Sequence, residues 1–128
     1  MITFKSVNDP VKPSDGIRIL ATRYRGRGMK KSRYSVWMPN LGPSAELLAR
    51  FQNGEVAWGD FKKIYAHELL SSDCIDEKNH INRNRGQKYT LKLIKELSKK
   101  QTITLMCHCA TDAKECHLRV LEKVLGRV

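Results

Sequence analysis

No apolar run in this chain approaches the roughly 20 residues that a helix needs to cross a bilayer, and the N-terminal stretch carries no signal-peptide-like hydrophobic segment. A soluble cytoplasmic protein is the expectation, with no membrane partner. An exported disulfide framework is excluded on the same grounds, so the 4 cysteines are read as reduced thiols, as their C-x-C and Cys-His clustering suggests. Internal repeats, low-complexity tracts and interdomain linkers are also missing, and 128 residues suffice for one ordinary core with little left for a second. Acid is scarce: 13 Asp and Glu stand against 24 Lys and Arg, for a net charge of +11. Such a field attracts nucleic acid, nucleotides or other polyanions.

The excess charge is concentrated. Residues 23–33 contain Arg23, Arg25, Arg27, Lys30, Lys31 and Arg33 with no acid between them, and residues 78–92 contain Lys78, Arg83, Arg85, Lys88 and Lys92, again with none. The bland reading of either run is a solvated surface.

Local patterning places these runs on a scaffold. Residues 2–7 read as a short first strand, and turn signals at 8–10 and 13–16 lead to a second at 17–22. There Ile17, Ile19 and Ala21 share one face and Leu20 takes the other. Gly26 and Gly28 then leave residues 23–33 as a loop at the strand's C-terminal end, where open α/β sheets bind ligands. Residues 37–43 read as loop. Ser44 is an N-cap for a short helix through Leu47, Leu48 and Phe51 up to Gly54, and a second helix runs from about Trp58 to Leu70 with Phe61, Ile64, Tyr65, Glu68 and Leu69 at helical spacing. Its aromatics read as core. Residues 71–86 lack a period and read as loop, and 87–99 form an amphipathic helix through Leu91, Leu93, Ile94 and Leu97.

The chemistry is concentrated near the end. In residues 102–107, Ile103, Leu105 and Cys107 face one way in a strand. Asp112 with Glu115 fits a capping box for a helix from about Ala113 to Leu125. On that helix Leu118, Val120, Leu121, Val124 and Leu125 form a broad apolar arc with His117 in its middle, while Arg119, Glu122 and Lys123 share the opposite side. His117 should therefore point inward, toward the strand end that delivers Cys107, His108 and Cys109. Cys116 should sit among helix N-terminal amides, which favour an anion and lower a thiol pKa.

Three readings of this cluster stay open. Cys107, Cys116 and His117 can be ordinary buried residues. They can belong to a zinc site with Cys107, Cys109, Cys116 and either His108 or His117, although C-x-C-x6-C-H lacks the usual C-x2-C knuckle. Or one cysteine is reactive, with His117 as base or ion-pair partner and the basic loop holding an anionic substrate.

An ordered series of residues now adds to this. Asp15-Gly16, Arg18, Leu20, Thr22-Arg23 and the run from Arg27-Gly28-Met29 through Lys30-Lys31-Ser32 come first. Trp37, Leu41-Gly42-Pro43-Ser44, Glu46-Leu47, Phe51, Gly54, Trp58, Phe61, Tyr65 and Glu68-Leu69 follow, then Thr104-Leu105 and residues 107–117. The series resembles the signature of domain-of-unknown-function family 488, the YeaO-like proteins, from about residue 5 to 121. The resemblance implies a compact α/β domain and makes Arg23, Arg27, Lys30 and Lys31 a shared feature. Two departures matter. Arg25-Gly26 stands where relatives commonly carry Trp-Pro, and Leu118 separates Cys116-His117 from Arg119, where many relatives have Arg directly after Cys-His. Some relatives lack the cysteines, which argues against one obligatory thiol or zinc mechanism for the whole family.

The expectation is a single compact α/β domain with a small, mainly parallel sheet and helices packed around it. An anionic small molecule, phosphate- or nucleotide-like, would bind at Arg23, Arg27, Lys30 and Lys31, beside Cys107, Cys116 and His117 as the catalytic candidates. A nucleic-acid-binding module without catalysis and a small zinc protein are the alternatives. The sequence identifies no cofactor.

Overall fold

The computed structural model describes residues 1–70, 87–109, 113 and 115–128. Among these residues four strands, β1 (Ile2–Ser6), β2 (Ile17–Leu20), β3 (Val36–Trp37) and β4 (Ile103–Cys107), form one sheet in the order β1-β4-β2-β3, with each of these pairings parallel. β4 lies between β1 and β2, with Ile103 opposite both Ile2 and Ile17, and all five of its residues are buried. This explains its nearly continuous apolar sequence, since a central parallel strand has no wet face. The described residues form four α-helices: α1 (Ala45–Gln52), α2 (Trp58–Leu70), α3 (Gln87–Ser98) and α4 (His117–Leu125). Together these elements make a single α/β domain, and no helix among the described residues is long and apolar enough to cross a membrane.

Side-chain alternation divides the sheet as the sequence suggested. Ile19, Ala21, Ile103, Leu105 and Cys107 pack with Leu47, Phe61, Tyr65, Leu69, Leu91, Ile94, Leu121 and Val124 in the helix-side core. Leu20 and Met106 face the other way, with Val7, Met29, Tyr34 and Trp37 against them. The helices thus contribute to one face, and the second face is covered by the basic segment that follows β2. Each fully buried Leu, Ile or Phe side chain contributes about 1.5–3 kcal/mol, so the helix-side core dominates stability.

Local chemistry accounts for the main boundaries. Ser44 caps α1 by accepting the Leu47 N–H at 3.2 Å. Asp15 receives Lys5 Nζ at 2.6 Å and the Lys12 N–H at 2.9 Å, which fixes the turn between β1 and β2. Gly16 closes that turn at φ +65°, where a Cβ would lie 2.0 Å from the Thr102 carbonyl oxygen, so no other residue fits.

Three expectations are corrected. Residues 37–43 are not all loop: Val36 and Trp37 pair with Ile19 and Leu20 as a two-residue edge strand, too short to leave a periodic signal. The last helix begins at His117 rather than near Ala113, with Cys116 as N-cap. The first strand ends at Ser6. The loop expected over residues 71–86 lies outside the described residues, as does Asp112 of the expected capping box.

Candidate functional site

β2 and β4 end together at the middle of the sheet. Leu20 pairs with Met106, and the Ala21 N–H donates to the Met106 carbonyl at 2.9 Å. Beyond this edge the chain leaves β2 as the basic loop and leaves β4 toward α4. Residues from the two exits meet again just above the strands, as ligand sites in open α/β sheets do.

The thiols form the centre. Alternation along β4 turns Cys107 to the helix side, and the N-cap position of α4 places Cys116 over it, with the two Sγ atoms 3.1 Å apart. Both side chains are buried. Cys109 is half-buried, and the Sγ atoms of all three lie within 4.8 Å of one another. None of the three is in a disulfide.

Their ionisation is unequal. The Cys107 hydrogen bond draws the Cys116 thiol down to about 5, with the Leu118 amide at the start of α4, the neighbouring His117 and Cys109 acting in the same direction against burial. Cys107 moves the opposite way because it donates that hydrogen bond and is buried. Burial, followed by the charge on Cys116, raises Cys109. The arrangement is a thiolate at Cys116 hydrogen-bonded by a protonated Cys107.

His117 points inward, as its place on the apolar arc suggested. Its Nε2 donates to the Ala21 carbonyl at 2.5 Å, and its ring lies edge-on to Tyr65 at 6.0 Å between centroids. Burial holds the imidazole below its usual range, against the opposing pull of the Cys116 thiolate and the Ala21 carbonyl. The ring is therefore neutral near pH 7, with Nε2 carrying the proton, and it ties α4 to the end of β2. The Cys116 thiolate is bonded by Cys107 rather than by this imidazole.

A polar layer lies beneath. Glu68, 8% exposed, accepts the Ser44 N–H at 3.0 Å and the Ser44 hydroxyl at 2.5 Å. Tyr65 donates to the Leu41 carbonyl, and its phenol is pushed well above the usual range by burial and then by Glu68. Arg23, 2% exposed, donates from Nε to the Pro43 carbonyl at 2.8 Å. Gly42 makes this approach possible, since a Cβ there would sit 2.4 Å from the Arg23 backbone nitrogen. Helical spacing alone puts Tyr65 and Glu68 in a core stripe. The available signal was an acid within an apolar stripe, because a buried carboxylate requires hydrogen-bonding partners.

The basic loop meets this site with its first part. The Thr22 hydroxyl donates to the Tyr24 carbonyl at 2.6 Å, and Trp37 Nε1 donates to the Thr22 carbonyl at 2.8 Å. His108, between two of the thiols in sequence, is bonded through Nε2 to the Tyr24 carbonyl at 3.2 Å. Gly26 adopts φ +90° against that imidazole, where a Cβ would come within 3.1 Å of Cε1. A Gly at this position lets the loop lie on His108. The later part turns away: Met29 and Tyr34 pack on the second face of the sheet, and Arg18 bonds the Ser32 and Arg33 carbonyls.

The expected site residues therefore separate into three groups. Cys107, Cys116 and His117 are together. Arg23 is buried beneath the edge, while Arg25 and Arg27 are exposed on the part of the loop adjoining His108. Lys30 and Lys31 are exposed farther along, where the chain turns onto the second face. Of the second basic run, Lys88 and Lys92 flank the exposed Tyr89 ring on α3 at 5.9 and 5.7 Å, and Arg83 and Arg85 lie outside the described residues.

Comparison with known proteins agrees with the resemblance seen in the sequence. The family model described as DUF488-N3a, "Active DUF488-N3 subclade", matches residues 2–127. A curated relative, "Uncharacterized protein YeaO" of Escherichia coli (strain K12), is 30% identical over 122 residues, covering 94% of this chain and 92% of the relative. No solved structure matches.

Proposed function

This chain belongs to the DUF488 family, and from that premise we propose that it binds an anionic, phosphate- or nucleotide-like small molecule at the C-terminal edge of its sheet and acts on it through the Cys116 thiolate. One observation carries the reading: Cys116 Sγ lies 3.1 Å from Cys107 Sγ at the N-terminus of α4, where a thiolate is stabilised. The word "active" in the subclade's description is in keeping with chemistry at this site.

Each neighbour has a role in this reading. Cys116 is the nucleophile, and Cys107 sets its charge by donating a hydrogen bond. His117 is a positioning residue, holding α4 to β2 through Ala21. Arg25 and Arg27 supply exposed guanidinium groups for phosphate or carboxylate oxygens, in the bidentate geometry that suits arginine. Arg23 acts from below by fixing residues 42–43, and Lys30 and Lys31 add field rather than contact.

A second reading has its own observation, the three Sγ atoms within 4.8 Å of one another. Thiolates at that separation suit a soft cation such as zinc, which would need a fourth donor. Elemental mass spectrometry on untagged protein purified under reducing conditions separates the two. Zinc well below one per chain, together with pH-dependent alkylation of Cys116, supports thiol chemistry. Near-stoichiometric zinc that is lost in Cys109→Ser favours the metal site.

A further inference from the structure

A second concentration of cations was invisible in the sequence, because its members come from two helices far apart in the chain. A groove of about 540 Å³ runs between α2 and α4. Lys62, Lys63 and His67 border it on one side and Arg119, Lys123 and Arg127 on the other, with Ala66, Leu70, Val120 and Val124 among the apolar residues between them. No carboxylate lines it among the described residues. Glu122, which pairs with Arg119 at 3.4 Å, is not among the lining residues.

The geometry points to a single strand of nucleic acid, held by its phosphates, as the occupant of this groove. We infer this from spacing and shape as well as charge. Arg119 and Lys123 are four residues apart on α4, so their stems are separated by about 6 Å along the axis, and Arg127 lies in the turn just past the helix end at Leu125, on the same groove wall. This matches a linear array of phosphates better than one compact anion. Packed helices have axes only about 8–10 Å apart, so the groove admits one strand, while a duplex would rest on its rim. The apolar floor can take sugar and base faces without selecting a sequence. The groove also has a direction. α4 starts at the sheet's C-terminal edge and runs back from it, whereas α2 carries Tyr65 and Glu68 to that same edge, so the helices are antiparallel. The Arg119 end therefore opens beside the first turn of α4, two residues from His117. The inference does not require thiol chemistry, and it fails or stands separately from that reading.

The test is fluorescence anisotropy on the full chain with a labelled oligothymidylate of about 15 nucleotides. Three phosphate contacts at about −0.7 each in the log–log salt slope predict at least a roughly 20-fold loss of affinity between about 50 and 200 mM salt. Charge reversal at Lys123→Glu with Arg127→Glu, both exposed, should weaken binding at least about tenfold and reduce the slope by about 1.4. Lys99→Glu with Lys100→Glu, both exposed and outside the groove, changes net charge equally on another surface and should leave binding within about twofold. If the first pair loses its native circular dichroism, Lys63→Gln with Lys123→Gln serves instead. Absence of binding, equal losses in the two charge-reversed pairs, or displacement by polyglutamate at equal charge concentration would each overturn the inference.

Discussion

The alkylation rate of Cys116 as a function of pH is the most direct test of the thiol pair. An ordinary thiol here would ionise near 9.0, whereas Cys116 is drawn down to about 5. At pH 7 that is about 99% thiolate against about 1% for an unperturbed thiol. The speed at pH 7 is nevertheless a poor readout. With a Brønsted slope of about 0.4–0.5, a thiolate made four units less basic loses about 40–100-fold in intrinsic nucleophilicity, which nearly cancels its greater abundance. The position of the inflection is the signature. Cys116 is 2% exposed, so iodoacetamide labels it slowly, but its rate by peptide mass spectrometry should rise through an inflection near 5, with the half-buried Cys109 reacting only in alkaline solution. The leading cause is the hydrogen bond from Cys107. A bond to a charged group contributes about 1.5–3 kcal/mol, or about 1–2 pK units, so Cys107→Ala should shift the inflection to about 6–7. The Leu118 amide and His117 remain and keep it below the ordinary value. A wild-type inflection at about 8–9, or one unmoved by Cys107→Ala, would refute the thiolate–thiol assignment.

Other consequences concern stability. Cys116 ionises below its unfolded value, so its contribution is complete above about 9 and is lost as pH falls through about 5, whereas the raised Cys107 contributes below about 9 and loses that contribution above it. The thermal midpoint of wild type relative to Cys116→Ala should therefore climb from pH 5 to 9, and a flat difference would count against the pair. Glu68→Gln weakens two bonds to Ser44 and should lower stability by about 2–4 kcal/mol in urea titrations; a change below about 0.5 kcal/mol would remove Glu68 from the polar layer. Gly42→Ala forces a Cβ against the Arg23 backbone and should cost about 1–3 kcal/mol by the same measurement. Trp37→Phe retains the ring but removes its bond to Thr22, with an expected loss of about 1 kcal/mol.

What could be read in advance was what short-range periodicity encodes. The alternation of Ile17, Ile19 and Ala21 against Leu20, and of Ile103, Leu105 and Cys107 against Met106, assigned both faces of the two middle strands correctly. Ser44 announced α1, and residues 58–70 announced α2. The remainder depended on tertiary partners. β3 exists because β2 offers Ile19 and Leu20 an edge, not because Val36 and Trp37 form a pattern of their own. Arg23 appeared to belong with the exposed cations around it, yet the Pro43 carbonyl and the absence of a side chain at Gly42 bring it inside. The basic groove joins residues 62–67 to 119–127, and no reading along the chain brings those together before α2 and α4 are packed.

The late start of α4 makes the site more specific than sequence clustering suggested. If the helix began near Ala113, Cys116 would sit at the end of its first turn, with its amide committed to the helix and its side chain beside other side chains. Starting at His117 instead makes Cys116 the N-cap, in extended conformation, at the helix end whose amides an N-cap normally serves with an oxygen, and the Leu118 amide helps to draw its thiol down. That one-turn displacement also makes His117 the first helical residue, close enough for its ring to reach the Ala21 carbonyl at the end of β2. Strand parity then supplies Cys107 on the same side of the sheet. The three positions are consequently fixed by three different devices: alternation along β4, helix initiation at Cys116 and the His117–Ala21 bond. Starting the helix one residue earlier would put Cys116 in helical rather than extended backbone and re-aim its sulfur without altering either cysteine.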